Sequence, residues 1–365
     1  MESRSRSPKE SVSPKKQPRL LQMMLSTQSG GAETFFEKLA AGFAAAGVPQ
    51  MLVTEPEDER TAQLSSLPGV EVRTLRFGGF REPFAQVKLK GIFREFRPDI
   101  ALTWMNRASR RVPKGLCPVV GRLGGYYKLK HYQNCDHLVG ITPDLVAHIT
   151  GGGWPAEQAS LIPNFGEVID EAFDAAAARR DIRTGLNIPM DMPLVLALGR
   201  LHEVKAHDTL IRALALLERP VALMIAGSGP LLDSLQALAA SLRVSDRVHF
   251  LGWRKDIGQL FAASDISVFP SRYEPNGTVV MESWAHEKPL IASRAAGPSW
   301  LVDPEKNGLL FEIDSVDELA EQMQRVIDSP GLVRALVAGG RKKFNAGFTR
   351  EAIVQEYLNL FGSLL

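Results

Sequence analysis

Short apolar runs separated by helical patterns recur along the whole chain. RLLQMML (19–25) leads into a Gly-Gly turn and then into TFFEKLAAGFAAAG (34–47), which reads as a helix of small and apolar residues. QMLVT (50–54), VEVRTL (70–75), DIALTW (99–104), PVVGRL (118–123) and HLVGIT (137–142) read as further buried strands. The rhythm then restarts with LVLALG (194–199), VALMIAG (221–227), RVHFLG (247–252), DISVFP (265–270) and PLIAS (289–293), with helices between them such as HDTLIRALALLE (207–218). Apolar runs of this length are what strands covered on both faces require, and their alternation with helices predicts parallel sheets with helices on each side. Two such series, each the size of a domain, predict an α/β protein of two Rossmann-like domains.

The boundaries follow from where the rhythm breaks. Residues 1–18, rich in Ser, Pro, Lys and Arg, predict a disordered basic tail. The first domain spans 19–166. The join falls at IPNFGEV (162–168), where a strand ends in Pro-Asn, and an Ala- and Arg-rich helical stretch (172–184) follows. The second domain spans 167–347, and FTREAIVQEYLNLFGSLL (348–365) predicts a final amphipathic helix.

Composition narrows the class. With 365 residues, 45% of them hydrophobic, the chain has material for two real cores. Its two cysteines, Cys117 and Cys135, make no disulfide framework and no Cys-x-x-Cys pair, and the seven histidines form no His-x-x-x-His cluster. The expectations are a reducing cytoplasm and no metal. No apolar run approaches the roughly 20 residues of a spanning helix, and the polar N-terminus has no signal-peptide core. The net charge of +2 conceals an asymmetry: residues 1–166 carry +7, the remainder −5, and residues 73–130 alone +11.

Ligands of parallel α/β sheets bind beyond the carboxyl ends of the strands. LVLALG is followed by Arg200 and, five residues on, Lys205. VALMIAG is followed by Ser228-Gly229-Pro230. DISVFP is followed by Ser271-Arg272-Tyr273-Glu274, a Pro-Asn-Gly turn and a helix starting near Thr278. A helix N-terminus with two cations is an anion site, able to take two phosphates. Glu274 and Glu282 then acquire a purpose, because a carboxylate accepts hydrogen bonds from vicinal hydroxyls. Glu274 is placed for a sugar on one side of a pyrophosphate, and Glu282 for the ribose on the other. The plain alternatives stay open: surface carboxylates for the glutamates, an ordinary ion pair for Arg200, and a tight turn alone for Gly227 and Gly229.

Five motifs in order resemble the retaining glycosyltransferases of family 4, with the GT-B fold, of the bacterial lipopolysaccharide or glycolipid type. They are SGGAE (29–33), IPNF (162–165), the GRL-x-x-x-K stretch (199–205), AGSGP (226–230) and Glu274-x7-Glu282 after DISVFPS. The resemblance covers nearly all of residues 20–365. It implies two domains facing a cleft, with the final helix returning to the first domain. It puts Arg200 and Lys205 on the donor diphosphate, and Glu274 on the donor sugar beside the N–H groups of Asn276, Gly277 and Thr278. Glu282 falls on the ribose and Leu251 to Trp253 along the base. Gly30 and Gly31, with Gly227, allow close backbone approach. No cofactor is implied, since the nucleotide sugar, a UDP-sugar, is the donor substrate. Many relatives also carry a histidine after a strand of the first domain. Here PVVGRL runs into Gly124-Gly125-Tyr126-Tyr127, and His131 comes several residues later. His131, His137 and His202 read as structural or surface residues rather than catalytic ones.

The expected activity is transfer of a sugar to a glycan or glycolipid acceptor in cell-envelope polysaccharide biosynthesis. The alternatives are a nucleotide-sugar epimerase of the same fold and a non-catalytic binding protein. A dehydrogenase is disfavoured because GSGPLL (227–232) lacks the third glycine of the dinucleotide fingerprint. FAQVKLKGIFREFR (84–97) interleaves Phe84, Val87, Ile92, Phe93 and Phe96 with Lys88, Lys90, Arg94 and Arg97. Arg107, Arg110, Arg111, Lys114, Lys128 and Lys130 follow. No nucleic-acid module accompanies them, so residues 84–130 suggest an anionic membrane surface, with an amphipathic helix packed on the sheet as the plainer alternative.

Overall fold

The structure, a computed structural model, describes residues 17–28, 30–79, 82–167 and 174–365. Most of the expected tail, Ser29 of the first glycine loop, Val168 at the join and the start of the 172–184 stretch lie outside the described residues. Thirteen strands fall among the described residues: β1 (Leu20–Met24), β2 (Gln50–Thr54), β3 (Val70–Thr74), β4 (Ile100–Trp104), β5 (Val119–Leu123), β6 (His137–Gly140), β7 (Ala159–Leu161), β8 (Leu194–Leu198), β9 (Ala222–Ala226), β10 (Val248–Phe250), β11 (Ile266–Phe269), β12 (Leu290–Ser293) and β13 (Leu309–Phe311).

They form two sheets, in the orders β3-β2-β1-β4-β5-β6-β7 and β10-β9-β8-β11-β12-β13. The pairings resolved in register are parallel, with Leu20 opposite Gln50 and Ile100 in the first sheet and Val195 opposite Leu223 and Ile266 in the second. The chain divides into two compact units. One takes in residues up to Gly121, Lys130–Asp136 and Phe361–Leu365, the other Arg122–Leu129 and His137–Leu360. In the first unit Phe361, from the last helix (Arg350–Leu364), stacks on Phe43 of helix Gly31–Ala45 with centroids 5.9 Å apart.

The second sheet shows why its strands read as unbroken apolar runs. Along β8, Val195 and Ala197 enter one hydrophobic cluster, while Leu194, Leu196 and Leu198 enter another. Alternate side chains point to opposite faces and both faces are covered, so no position is left for a polar residue. The first sheet also carries a polar thread whose groups are paired. Gln50 donates to the Ala40 carbonyl, Gln22 to Gln50 Oε1 at 2.8 Å, and the Trp104 indole to Gln22 Oε1 at 3.0 Å.

The helix that follows β11, Thr278–Ala285, is fixed from within. Trp284 packs with Phe269 and Phe344 and donates to the Asn307 carbonyl at 2.8 Å. Ser283 bonds Ser267 of β11 at 2.7 Å. That anchorage holds the helix N-terminus at the end of the strand.

Candidate functional site

The strand order reverses once in each sheet, between β1 and β4 and between β8 and β11. These are the switch points at which a crevice opens beyond the carboxyl ends. At the second, the loops leaving neighbouring strands interlock through their backbones. Gly199 donates to the Ala226 carbonyl at 3.0 Å, Gly227 to that of Gly252 at 2.8 Å, and Leu201 to that of Ser228 at 3.1 Å. A Cβ on Gly227 would stand 1.9 Å from the Gly199 oxygen, and one on Gly229 2.3 Å from the Leu201 oxygen. The tight-turn role of these two glycines therefore stands on its own: they let backbone pack on backbone. Gly277 caps helix Thr278–Ala285 with φ 67°, and Gly297 presses so close that its Cβ would lie 2.7 Å from the Gly277 nitrogen.

On this platform Lys205 and Glu274 meet. Lys205 Nζ lies 2.6 Å from Glu274 Oε2 and 5.3 Å above the Phe269 ring. The other oxygen, Oε1, accepts the N–H groups of Asn276 and Gly277, each at 3.2 Å. The carboxylate thus lies at the positive end of the helix that Thr278 begins. Arg200, on the loop after β8, is exposed, and among the described residues its guanidinium has no ion pair. Glu282 is half-buried further along the same helix. Leu251 follows β10 and is half-buried, whereas Trp253 is exposed with Lys255 Nζ 5.6 Å over its ring.

Gly30 and Gly31 belong to the other switch point. Gly30 caps helix Gly31–Ala45 in an extended conformation, and a Cβ on Gly31 would meet nothing within 4 Å. The loop after β1 is held by Arg60, which donates to the carbonyls of Ser26 and Gln28 at 2.9 and 2.8 Å, and by Ser26, bonded to the buried Glu33 at 2.6 Å.

The histidines set aside as structural are local. His137 is buried and bonded to Ser160 at 2.8 Å, and His202 accepts from the Val204 N–H. After β5, Tyr126 is exposed and edge-on to His148, which donates to the Tyr127 carbonyl at 2.9 Å. Burial pushes the thiols of Cys117 and Cys135 up to about 12. Among the described residues, no three His, Cys, Asp or Glu side chains gather as a metal site.

Two side chains at the site escaped the sequence reading. His207, 2% exposed, sits against the Gly199 and Arg200 backbone, and neither ring nitrogen completes a hydrogen bond among the described residues. Burial depresses it to about 4, against the opposing pull of the nearby backbone, so the ring is neutral. Arg272 carries three separate segments on one guanidinium. Its only signal in the sequence was its place two residues before Glu274.

This architecture is that of the GT-B glycosyltransferases. A glycosyltransferase structure from Rickettsia africae ESF-5 superimposes with a TM-score of 0.81 at 18% identity, covering 95% of this chain and 98% of that one. Anabaena Alr3699/HepE in complex with UDP-glucose gives 0.78 at 22% identity, covering 95% and 100%. Residues 178–343 match the family model "Glycosyl transferases group 1". The lipopolysaccharide core biosynthesis glycosyltransferase LpsE of Rhizobium meliloti (strain 1021) is 33% identical over 342 residues, covering 92% of this chain and 97% of the relative. The chain belongs to the group 1 glycosyltransferases.

Proposed function

We propose that the protein transfers a sugar from a UDP-sugar, with retention of configuration, to a glycan or glycolipid acceptor of the cell envelope. The observation that carries this reading is the meeting of Lys205, Glu274 and the N-terminus of helix Thr278–Ala285 beyond β8 and β11. A diphosphate placed there takes Lys205 and Arg200 as counter-charges and the helix N–H groups as donors. Glu274, displaced from Lys205, turns its oxygens to the sugar hydroxyls, and Glu282 takes the ribose. The leaving charge is thereby neutralised by fixed groups, and the reading uses no metal. Gly30 and Gly31 are assigned to the approach of donor phosphate or acceptor, and Leu251 and Trp253 to the base. The UDP-glucose in HepE supports the donor class, and the name of LpsE supports a lipopolysaccharide-type acceptor.

A panel of nucleotide sugars, assayed for nucleotide release with lipid and oligosaccharide acceptors, tests the reading. UDP release that requires acceptor is the expected result. Turnover of a donor without any acceptor favours the epimerase, and no release from any donor removes the enzymatic reading.

The acceptor's setting enters the same proposal through helix Glu82–Phe96. Its Leu89, Ile92, Phe93 and Phe96 are core residues, so most of the apolar face packs on the sheet. Phe84 and Val87, each 71% exposed, stand outward beside Lys88, Lys90, Arg94 and Arg97. Two of the expected free cations are spent within the protein, Arg107 on Glu55 at 2.6 Å and Arg111 on Glu82 at 2.5 Å. What remains is two exposed apolar side chains on a helix surface with a net excess of cations, Lys88, Lys90, Arg94 and Arg97 against Glu95, suited to an anionic leaflet, with about 1 kcal/mol for each cation at the surface. Co-flotation with anionic vesicles, weakened by salt and by neutralising Lys88, Lys90, Arg94 and Arg97 together, is expected. A protein left behind at low salt points to a soluble acceptor.

A further inference from the structure

The two groups that meet at the site are carried by separate loops. Lys205 ends the short 3-10 turn Glu203–Lys205 after β8, and Glu274 stands on the loop after β11. Their 2.6 Å contact joins the ends of two long side chains, and such pairs hold a geometry only where the backbones beneath them are fixed.

The backbones are fixed at Arg272. Its N–H donates to the Val204 carbonyl at 2.9 Å, in the middle of the turn that carries Lys205. Its guanidinium then fans out over three segments. Nη1 donates to the Glu203 carbonyl at 2.6 Å, Nη2 to Asp208 Oδ2 at 2.8 Å, and Nε lies 2.7 Å from Asp314 Oδ1 in the segment after β13. Thr209 closes the ring by donating to Asp314 at 3.1 Å. The pairing is felt at Asp208. Burial alone would raise its carboxyl, but the Arg272 hydrogen bond and charge outweigh burial and hold it below its usual range.

The turn needs such a hold. Ala206, directly after Lys205, is fully buried in the left-handed conformation with φ 50° and ψ 37°. An L-residue with a Cβ is there only where its surroundings over-determine it. Asp314, which grips Arg272 from the other side, is also left-handed at φ 63°. A turn ended by a strained alanine, an aspartate on a left-handed backbone and a guanidinium binding both form one clasp.

We propose that Arg272 is a positioning residue of the donor site: by clasping the Glu203–Lys205 turn to the loop that bears Glu274, it sets the place of the Lys205 ammonium. This rests on the reading of Lys205 as a diphosphate contact. Arg272 acts through Lys205, so its removal matters only while Lys205 is present. A lysine cannot replace it, because one ammonium cannot serve Glu203, Asp208 and Asp314 from one plane.

A double-mutant cycle tests this, read as kcat and donor KM, with UDP affinity by calorimetry and thermal unfolding as the check on folding. Arg272→Ala should lower kcat by about 100-fold, the order expected when a contact moves by an ångström. In the Lys205→Ala background the same substitution should lower kcat by less than about threefold, since the group it positions is gone. Arg272→Lys should resemble Arg272→Ala. A residue that merely holds the fold would multiply its loss in both backgrounds, and that result overturns the proposal while leaving the donor-site reading intact. Wild-type turnover in Lys205→Ala would instead remove the donor-site reading and this proposal with it. Should Arg272→Ala not fold, Arg272→Lys and Asp314→Asn run the same cycle, the latter suited to its left-handed backbone.

Discussion

Gly227 and Gly31 separate two uses of glycine that the sequence presents alike. A methyl group on Gly227 would overlap the Gly199 carbonyl, and its φ of 156° disfavours any side chain. Gly227→Ala should therefore lower stability by about 2 kcal/mol or more, seen as an early denaturant midpoint. Gly31 opens a helix into empty space, so Gly31→Ala should leave stability level or raise it by up to about 1 kcal/mol. Activity lost in that stable variant belongs to ligand approach; wild-type activity removes Gly31 from the site. For the charged groups, Arg200→Ala and Lys205→Ala should each cost about 2–4 kcal/mol in the barrier to transfer, with the fold unchanged. Near-normal rates in both would be incompatible with a diphosphate contact. The cations and carboxylates of the site were legible because chemistry restricts which residues stand at strand ends. Arg272 and His207 were not: a guanidinium that ties loops and a histidine buried neutral look like any surface arginine and any helix-start residue until their partners are in place.

Among the elements, the central strands were the most readable, since both their faces are covered and their apolar runs are uninterrupted; VEVRTL and RVHFLG, read as buried too, supply the edge strands β3 and β10, which are partly exposed because a sheet edge is covered less completely. β13 was passed over, because three residues, Leu309–Phe311, between Asn307-Gly308 and Glu312 give no run to recognise. The first helix begins at Gly31 rather than at Thr34, the second glycine of what read as a Gly-Gly turn being its first residue. Helix Glu82–Phe96 was legible as amphipathic, but its five aromatic and branched residues were read as one apolar set although they spread over about two-thirds of a helical turn; Ile92, Phe93 and Phe96 share an arc and are buried, whereas Phe84 and Val87 fall outside it and are exposed. Ala206 is where local preference and the fold disagree. Ala206→Gly relieves a left-handed residue, worth about 1–2 kcal/mol, and loses about 0.4–1 kcal/mol to a freer unfolded chain. Losing the fully buried methyl costs about 0.8 kcal/mol more, so the expected change in urea unfolding is about zero, and a loss above about 1 kcal/mol would show that the turn is unstrained.

For the whole molecule, acid is the sensitive side. The folded His207 ring, depressed to about 4, refuses the proton that the unfolded chain accepts near 6.5. Its contribution is fully present above pH 6.5 and is lost as pH falls from there towards 4, by about 3 kcal/mol at most. His137 and His249, also lowered by burial, act in the same direction. Unfolding free energies between pH 7.5 and 4 should fall more steeply for the wild type than for His207→Gln, and parallel curves would mean that the ring is solvated. A relative matching 92% of the chain fixes the class, whereas donor and role assignments rest on a few side chains. Calorimetric titration of UDP into four proteins addresses those assignments most directly. Wild type should bind, Lys205→Ala and Glu282→Gln should bind at least about tenfold more weakly, the loss of one charge-assisted contact each, and Glu274→Gln should bind no more weakly than wild type, because its carboxylate competes with a diphosphate for Lys205. Equal affinities across the four, or a Glu274→Gln loss as large as that of Glu282→Gln, would contradict a donor site built on this ion pair.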